Sequence, residues 1–278
     1  MRLRNSGAIV TDRVTTLAMQ TVRFERGSRR LQPTDRVAIV ASFGPDNTVS
    51  RSLVTFTQEL EANGYTVIIV RASDDARPLR WPTDNVAHPI IVRKANIGYD
   101  FGSWAVGLEL FPSVRRKPFV ILTNDSLLGP FSSLTPLIEN FESCSTNVWG
   151  ATNTSQMHAH LQSFFVGYRS GILSNPALKQ FWSDLRIEAD KGMIIQKYEL
   201  GLSRLLFAEG LTTSACFESE RVVSDSENPT IEGWKNLLRL GFPFVKKELI
   251  TNPAIVPSAT DIPATVRAQF GTDPREWL

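Results

Sequence analysis

The chain has 278 residues, 42% hydrophobic and 21% charged, enough to bury a sizeable core without disulfide or metal staples. A formal net charge of +2 is too small to argue for nucleic acid as a partner. No apolar run approaches the ~18 residues of a membrane span and the N-terminus lacks the apolar stretch of a signal peptide. Cys144 and Cys216 lie in unrelated contexts without metal-ligand spacing, so free thiols and a cytoplasmic setting are expected.

Residues 1–34 carry Arg2, Arg4, Arg13, Arg23, Arg26, Arg29 and Arg30 against Asp12 and Glu25. They read as a basic extension, either solvated or resting on an anionic lipid or nucleotide. The first strong strand is Arg36 to Phe43, apolar nearly throughout as a strand covered on both faces would be, and closed by Gly44-Pro45-Asp46-Asn47. Val49, Leu53, Phe56 and Leu60 then recur at helical spacing over 48–63, with Asn63-Gly64 as the stop. A second strand, Tyr65 to Val70, completes a βαβ unit, which makes a parallel sheet the expectation. The alternation continues with a strand at 89–93, a helix over about 101–110, a strand from Pro118 to Thr123, a helix from Ser132 to Asn140 and a strand near 147–152. Beyond it the pattern predicts one long strand over 160–169, a helix over 190–210, a helical stretch around 231–240 and a tail rich in Pro and Thr.

Ligands of open parallel sheets sit beyond the carboxyl ends of the strands. That directs attention to Ser42 and Phe43, Arg71 to Asp75, Lys94 to Asp100, and Asn124 to Ser126. In Lys94-Ala-Asn-Ile-Gly-Tyr-Asp-Phe-Gly-Ser-Trp104, Gly98 and Gly102 permit close backbone approach, while Asn96 and Asp100 can hydrogen-bond a polar ligand. The same segment also fits a plain strand-to-helix turn capped by Asp100. Asn124 and Asp125 stand at the end of an apolar strand, where a carboxylate could hold a divalent cation against a pyrophosphate or merely cap the next turn. His158 and His160 at i and i+2 would share a strand face as a candidate metal pair, with no third ligand at telling spacing. Gln162 and Ser163 are polar groups inside an apolar stretch and need partners, of which a sugar is one kind. Glu199 reads either as a capping carboxylate or as a general base over the pocket, on a helix with the stripe Leu202, Leu205 and Leu206 ended by Gly210.

In order along the chain, Asn96-Ile-Gly98-Tyr-Asp100, Thr123-Asn124-Asp125-Ser126 with Gly129-Pro130-Phe131, His160-Leu-Gln-Ser163-Phe-Phe, Glu199 through Gly210, and Asn228-Pro-Thr with Trp234 and Gly241-Phe-Pro-Phe-Val-Lys246 together resemble the rhamnan synthesis protein F family. The resemblance runs over residues 36–253. It implies an α/β fold of the GT-A-like, Rossmann-like nucleotide-sugar transferase kind, with a mostly parallel central sheet and helices on both faces. It implies an enzyme that moves a sugar, often L-rhamnose, from a nucleotide-diphospho-sugar donor to a glycan or lipid-linked glycan acceptor in the making of bacterial surface polysaccharide. Peripheral contact with the cytoplasmic face of the inner membrane would suit such an acceptor. Residues 35–253 would form the transferase domain, with a nucleotide-sugar half at about 35–126 and an acceptor half at about 127–253, flanked by the extension 1–34 and a tail 254–278.

By the same resemblance, Ser42, Arg71, Lys94, Asn96, Gly98, Asp100, Asn124 and Asp125 would bind the nucleotide sugar. His160, Gln162 and Ser163 would meet the sugar or acceptor, and Glu199, in a motif resembling Tyr198-Glu-Leu200 at a helix start, would be the catalytic base of an inverting reaction. Asp125 would take the place of the metal-binding acid for Mg²⁺ or Mn²⁺. The usual Asp-x-Asp is absent, however, because Asn124-Asp125-Ser126 has one carboxylate. Lys94, Arg71 or Arg169 could instead offset the leaving charge, and Asp74-Asp75 is either a second acid source or a solvated turn. A non-catalytic module that binds sugar nucleotide or glycan is the rival reading. A nucleotidyltransferase is disfavoured because Ser42-Phe-Gly-Pro-Asp46 holds no Lys or Arg, and a dehydrogenase because no G-x-G-x-x-G follows the first strand.

Overall fold

A computed structural model describes residues 12–82, 87–188, 190–224 and 226–278. The chain order begins with α1 (Val14–Ala18), β1 (Arg23–Arg26), β2 (Arg36–Phe43), α2 (Arg51–Ala62), β3 (Thr66–Ala72), β4 (Ile90–Lys94), α3 (Tyr99–Leu110), β5 (Phe119–Asn124) and β6 (Leu127–Leu128). It continues with α4 (Thr135–Ser143), β7 (Val148–Thr154), β8 (His160–Leu161), β9 (Phe165–Arg169) and α5 (Pro176–Ser183). Then come α6 (Lys191–Ile194), a π turn (Ile195–Glu199), α7 (Leu200–Ala208), β10 (Thr213–Phe217), α8 (Trp234–Arg239), β11 (Val245–Lys246), α9 (Lys247–Thr251) and α10 (Ile262–Phe270).

The central sheet has the order β1-β4-β3-β2-β5-β9-β7-β10, with β8 paired to β7. Strands β2, β3, β4, β5, β7 and β10 run one way, and β1, β8 and β9 run against them. The sheet is therefore mostly parallel. Because β2 is covered on both faces, alternate residues serve two cores. Val37, Ile39 and Ala41 pack with Phe101, Trp104 and Trp182 on the side of α3 and α5, while Ala38 and Val40 pack with Leu53, Phe56 and Phe141 on the side of α2 and α4. Helix α3 is buried on nearly every face because α1 and α5 cover the side turned away from the sheet. Trp104 pins it, its indole Nε1 donating to Thr123 O at 2.7 Å.

The structure departs from the sequence pattern in two places that matter to the site. Instead of one strand over 160–169, His160–Leu161 pairs with β7, the chain turns through 162–164, and Phe165–Arg169 inserts antiparallel between β5 and β7. Gln162 and Ser163 cannot satisfy themselves inside an apolar ladder, and the break releases them from it. The helix expected over 190–210 is a helical run from Lys191 to Ala208, capped by the Asp190 side chain and widened by the π turn, so Glu199 lies inside it rather than at its start.

The ends of the described chain are built into the domain. Val14 and Ala18 are buried in the α3 core, Val14 N donates to Leu185 O at 2.8 Å, and β1 extends the sheet along β4. Arg13 pairs with Asp184 at 2.5 Å, Arg23 donates to Ala76 O at 2.7 Å, and Arg26 lies over the Trp81 ring at 5.4 Å. Over 12–26 the segment expected as an extension is thus tied down, while Arg29 and Arg30 are exposed; Arg2 and Arg4 lie outside the described residues. At the other end, Ala259, Ile262, Val266 and Trp277 form a third core with Leu128, Trp234 and Val245. Both cysteines are free, and among the described residues no helix is long and apolar enough to cross a membrane.

Candidate active site

The chain winds outward from β2 through β3 and β4, then returns to the other side of β2 as β5. This is a topological switch point, and the crevice beyond its strand ends is the expected ligand position. There the Asp125 amide donates to Ala41 O at 3.1 Å, and its Oδ2 accepts from Ser42 Oγ at 2.5 Å and from the Phe43 amide at 3.2 Å. Arg71, buried at the end of β3, donates through Nη1 to Ser42 Oγ at 2.8 Å and through Nη2 to Thr48 O at 3.0 Å, with Nη1 3.8 Å from Asp125 Oδ2. A Cβ on Gly44 would fall 1.8 Å from Arg71 Nη2, so glycine is what lets the guanidinium pass beneath the turn. Ser42, Arg71 and Asp125 thus lock the ends of three strands together.

A cleft of about 520 Å³ opens beside this lock. In its lining, Asp100 in the first turn of α3 accepts from Asn124 Nδ2 at 2.8 Å, and Asn124 Oδ1 accepts from Ser126 Oγ at 2.6 Å. Burial and the neighbouring Asp125 charge push the Asp100 carboxyl up to about 6. In the same lining, Ser163 Oγ donates to Glu199 Oε2 at 2.8 Å, and His160 Nε2 lies 3.4 Å from Oε1. Burial pushes the Glu199 carboxyl up, but the hydrogen bonds from His160 and Ser163 outweigh it, so the group sits below its ordinary value and is ionised at neutral pH. Burial opposes the charge on His160, yet Glu199 and the His158 carbonyl together leave the imidazole above its ordinary value. Its Nδ1 lies 2.7 Å from His158 O, an acceptor only, which assigns a proton to that nitrogen. Gln162 accepts from Thr152 Oγ1 at 2.7 Å and donates to Asn228 Oδ1 at 3.1 Å. A Tyr198 hydroxyl that donates to Glu188 at 2.8 Å and accepts from the Arg186 amide at 2.7 Å anchors the π turn that presents Glu199.

The structure therefore brings Asp100, Asn124, Gln162, Ser163 and Glu199 into one cleft, with His160 against Glu199; Ser42, Arg71 and Asp125 form the neighbouring lock and are not part of the lining. Lys94, Asn96 and Gly98 lie outside its lining. The buried Lys94 ammonium donates to Ala95 O at 3.1 Å and Ile97 O at 2.8 Å, and Asn96 is exposed. Gly98, at φ 80°, is approached by Val14 of α1, whose Cγ1 would stand 2.6 Å from an added Cβ. Arg169 is spent on Glu142 O at 3.0 Å, and the Asp75 carboxylate on Arg77 at 2.6 Å. His158 and His160 meet through a backbone carbonyl, not through a shared metal position.

Three lysines not singled out from the sequence as site residues, Lys191, Lys246 and Lys247, also line the cleft. So does Tyr99, 46% exposed and held at φ 54°, a conformation costly for a bulky residue and concentrated at functional sites. The surroundings of Asp125 suit a divalent ion poorly. Its Oδ2 already accepts two hydrogen bonds, and the charges of Arg71 and Lys247 act on it. Among the described residues no three His, Cys, Asp or Glu side chains gather to hold an ion.

Fold and cleft define an α/β protein with a charged site at the switch point of its sheet. Residues 71–267 match the family described as rhamnan synthesis protein F, and the chain belongs to that family. It is 30% identical over 202 residues to virulence protein VirA of Vibrio anguillarum, an alignment covering 60% of this chain and 64% of that protein. It is 25% identical over 193 residues to uncharacterized protein y4gN of Sinorhizobium fredii, covering 67% of this chain and 50% of that one. The chain thus spans less than two thirds of the length of either relative. The family's description ties it to the synthesis of rhamnan, a polysaccharide; the matched region holds the lining of the cleft but begins after β2, so Ser42 lies outside it.

Proposed function

We propose that this protein is an inverting glycosyltransferase, moving a sugar, with L-rhamnose the first candidate, from a nucleotide diphosphate to a glycan or lipid-linked glycan acceptor. The observation that carries the reading is Glu199, ionised and held by Ser163 and His160 on the wall of a cleft at the sheet's switch point. Glu199 takes the proton of an acceptor hydroxyl as that oxygen bonds to the anomeric carbon. The bond from that carbon to the β-phosphate oxygen breaks, and its electron pair leaves with the nucleoside diphosphate. Asp100 and Asn124 line the same cleft, where hydrogen bonds to donor hydroxyls would hold the sugar in line. Transfer from a cytoplasmic donor to a lipid-linked acceptor would place the reaction at the cytoplasmic face of the inner membrane.

The test is release of nucleoside diphosphate from a panel of sugar nucleotides, dTDP-L-rhamnose first, with candidate glycan acceptors. Glu199→Gln should keep its fold and lose about 10²–10⁴-fold in turnover, the usual worth of a positioned base. Near-normal turnover in that variant would remove the assignment. The single carboxylate of Asn124-Asp125-Ser126 favours a second reading, a binding module without catalysis, which nucleotide binding with no turnover across the panel would support.

A further inference from the structure

Lys246 occupies an unusual position for an ammonium group. It stands on β11, whose pairing with β6 sets Lys246 opposite Leu127 and Val245 opposite Leu128, and this holds it beside the end of β5. It is half-buried, and its nearest partners are the Ser126 hydroxyl at 3.4 Å and the Phe164 ring at 4.7 Å. The next residue, Lys247, is fixed by its amide donating to Ser126 O at 2.9 Å, and Lys191 begins the helical run that carries Glu199. Among the described residues none of these three ammonium groups has a carboxylate within 4.0 Å, while all three line the cleft. Their charges act on the acids around it: Lys247 on Asp125, Lys246 and Lys191 on Asp100, and Lys246 on Glu199.

A half-buried cation with no carboxylate in contact gains from an arriving anion, because Glu248, Glu199 and Asp100 act on Lys246 only from further off. Sugar hydroxyls need no cation, whereas a diphosphate brings several charged oxygens within the span of two adjacent lysines. We propose that Lys246 and Lys247, joined by Lys191, form the subsite for the donor's diphosphate and neutralise the leaving group without a divalent ion. This rests on the transferase reading above and accounts for the missing second acid. As the bond to the β-phosphate oxygen breaks, the growing negative charge falls on ammonium groups already in place, an interaction stronger in the transition state than in the ground state. No proton leaves the lysines, because the acceptor's proton goes to Glu199.

The experiment is calorimetric titration of the full chain with dTDP, UDP, GDP and inorganic pyrophosphate, in excess EDTA and in Mg²⁺. A nucleoside diphosphate should bind in EDTA with affinity comparable to that in Mg²⁺. Lys246→Gln and, as a second variant, Lys247→Gln should each weaken it about tenfold or more, the scale of a lost charge-assisted contact. Lys246→Arg should restore most of the loss, and binding of the matching nucleoside should not change in any variant; thermal melting checks that each is folded. Binding that requires Mg²⁺, or that survives both neutral variants, overturns the proposal. So does a loss confined to an acidic acceptor such as a uronic-acid oligosaccharide. Diphosphate binding as described without turnover of any donor would leave the subsite standing and remove the transferase reading, whereas turnover indifferent to Lys246 would do the reverse.

Discussion

At the scale of single residues, the carboxylates of Asp100, Asp125 and Glu199 are each held against a named partner. The pair His160 and Glu199 shows how this becomes measurable. The folded imidazole lies above its ordinary value, so the folded state binds that proton more tightly than the unfolded chain does. The stabilisation is complete below the unfolded value of about 6.5 and fades as pH rises through the higher folded one. Wild-type protein should therefore exceed His160→Gln in stability by more at about pH 6 than at about pH 8 in denaturant titrations. An equal gap at both would show that His160 carries no extra proton in the folded state. Asp100, Asn124 and Asp125 were legible in the sequence because they follow apolar strands, where a side chain is delivered to the sheet's edge, and Glu199 through the family resemblance of Tyr198-Glu-Leu200 at a helix. The lysines were not. Lys246 stands on a two-residue strand, and Ser126, the hydroxyl it meets, lies 120 residues away with no local pattern to connect them.

Elements with strong periodicity appeared where the sequence placed them, as β2, α2, β3 and α3 show. Elements that owe their existence to distant contacts did not. Strand β1 forms only because β4 offers it an edge, and the break between β8 and β9 reflects the needs of Gln162 and Ser163, not any proline or glycine. Gly98 was legible as a special position, but the close neighbour it admits in the structure is α1. Gly98→Ala combines that collision with a left-handed φ and should cost about 1–3 kcal/mol in thermal or chemical unfolding. Pairing it with Val14→Ala should recover the steric part alone. A Gly98→Ala protein of unchanged stability would mean that α1 does not pack there.

On the scale of the whole molecule, the alternation of elements foretold a parallel sheet, and the family resemblance implied helices on both of its faces. The insertion of β9 and the wrapping of the last 25 residues over β6 and β11 required three-dimensional contacts. Trp277 closes that third core, with its ring 5.2 Å from Phe131 and beneath the Arg51 guanidinium at 4.4 Å. Trp277→Ala should cost about 3–5 kcal/mol in denaturant unfolding. Val245, packed in the same core, immediately precedes Lys246 and Lys247, so whatever holds the tail in place also holds two of the cleft's cations. With the anion subsite proposed above, docking of the tail and capture of an anion are expected to be linked, each favouring the other by the same factor. A nucleoside diphosphate should slow protease cleavage within 254–278, and Trp277→Ala should weaken the nucleotide it never touches. Affinity in the cleft and protection of the tail are two measurements of a single coupling free energy.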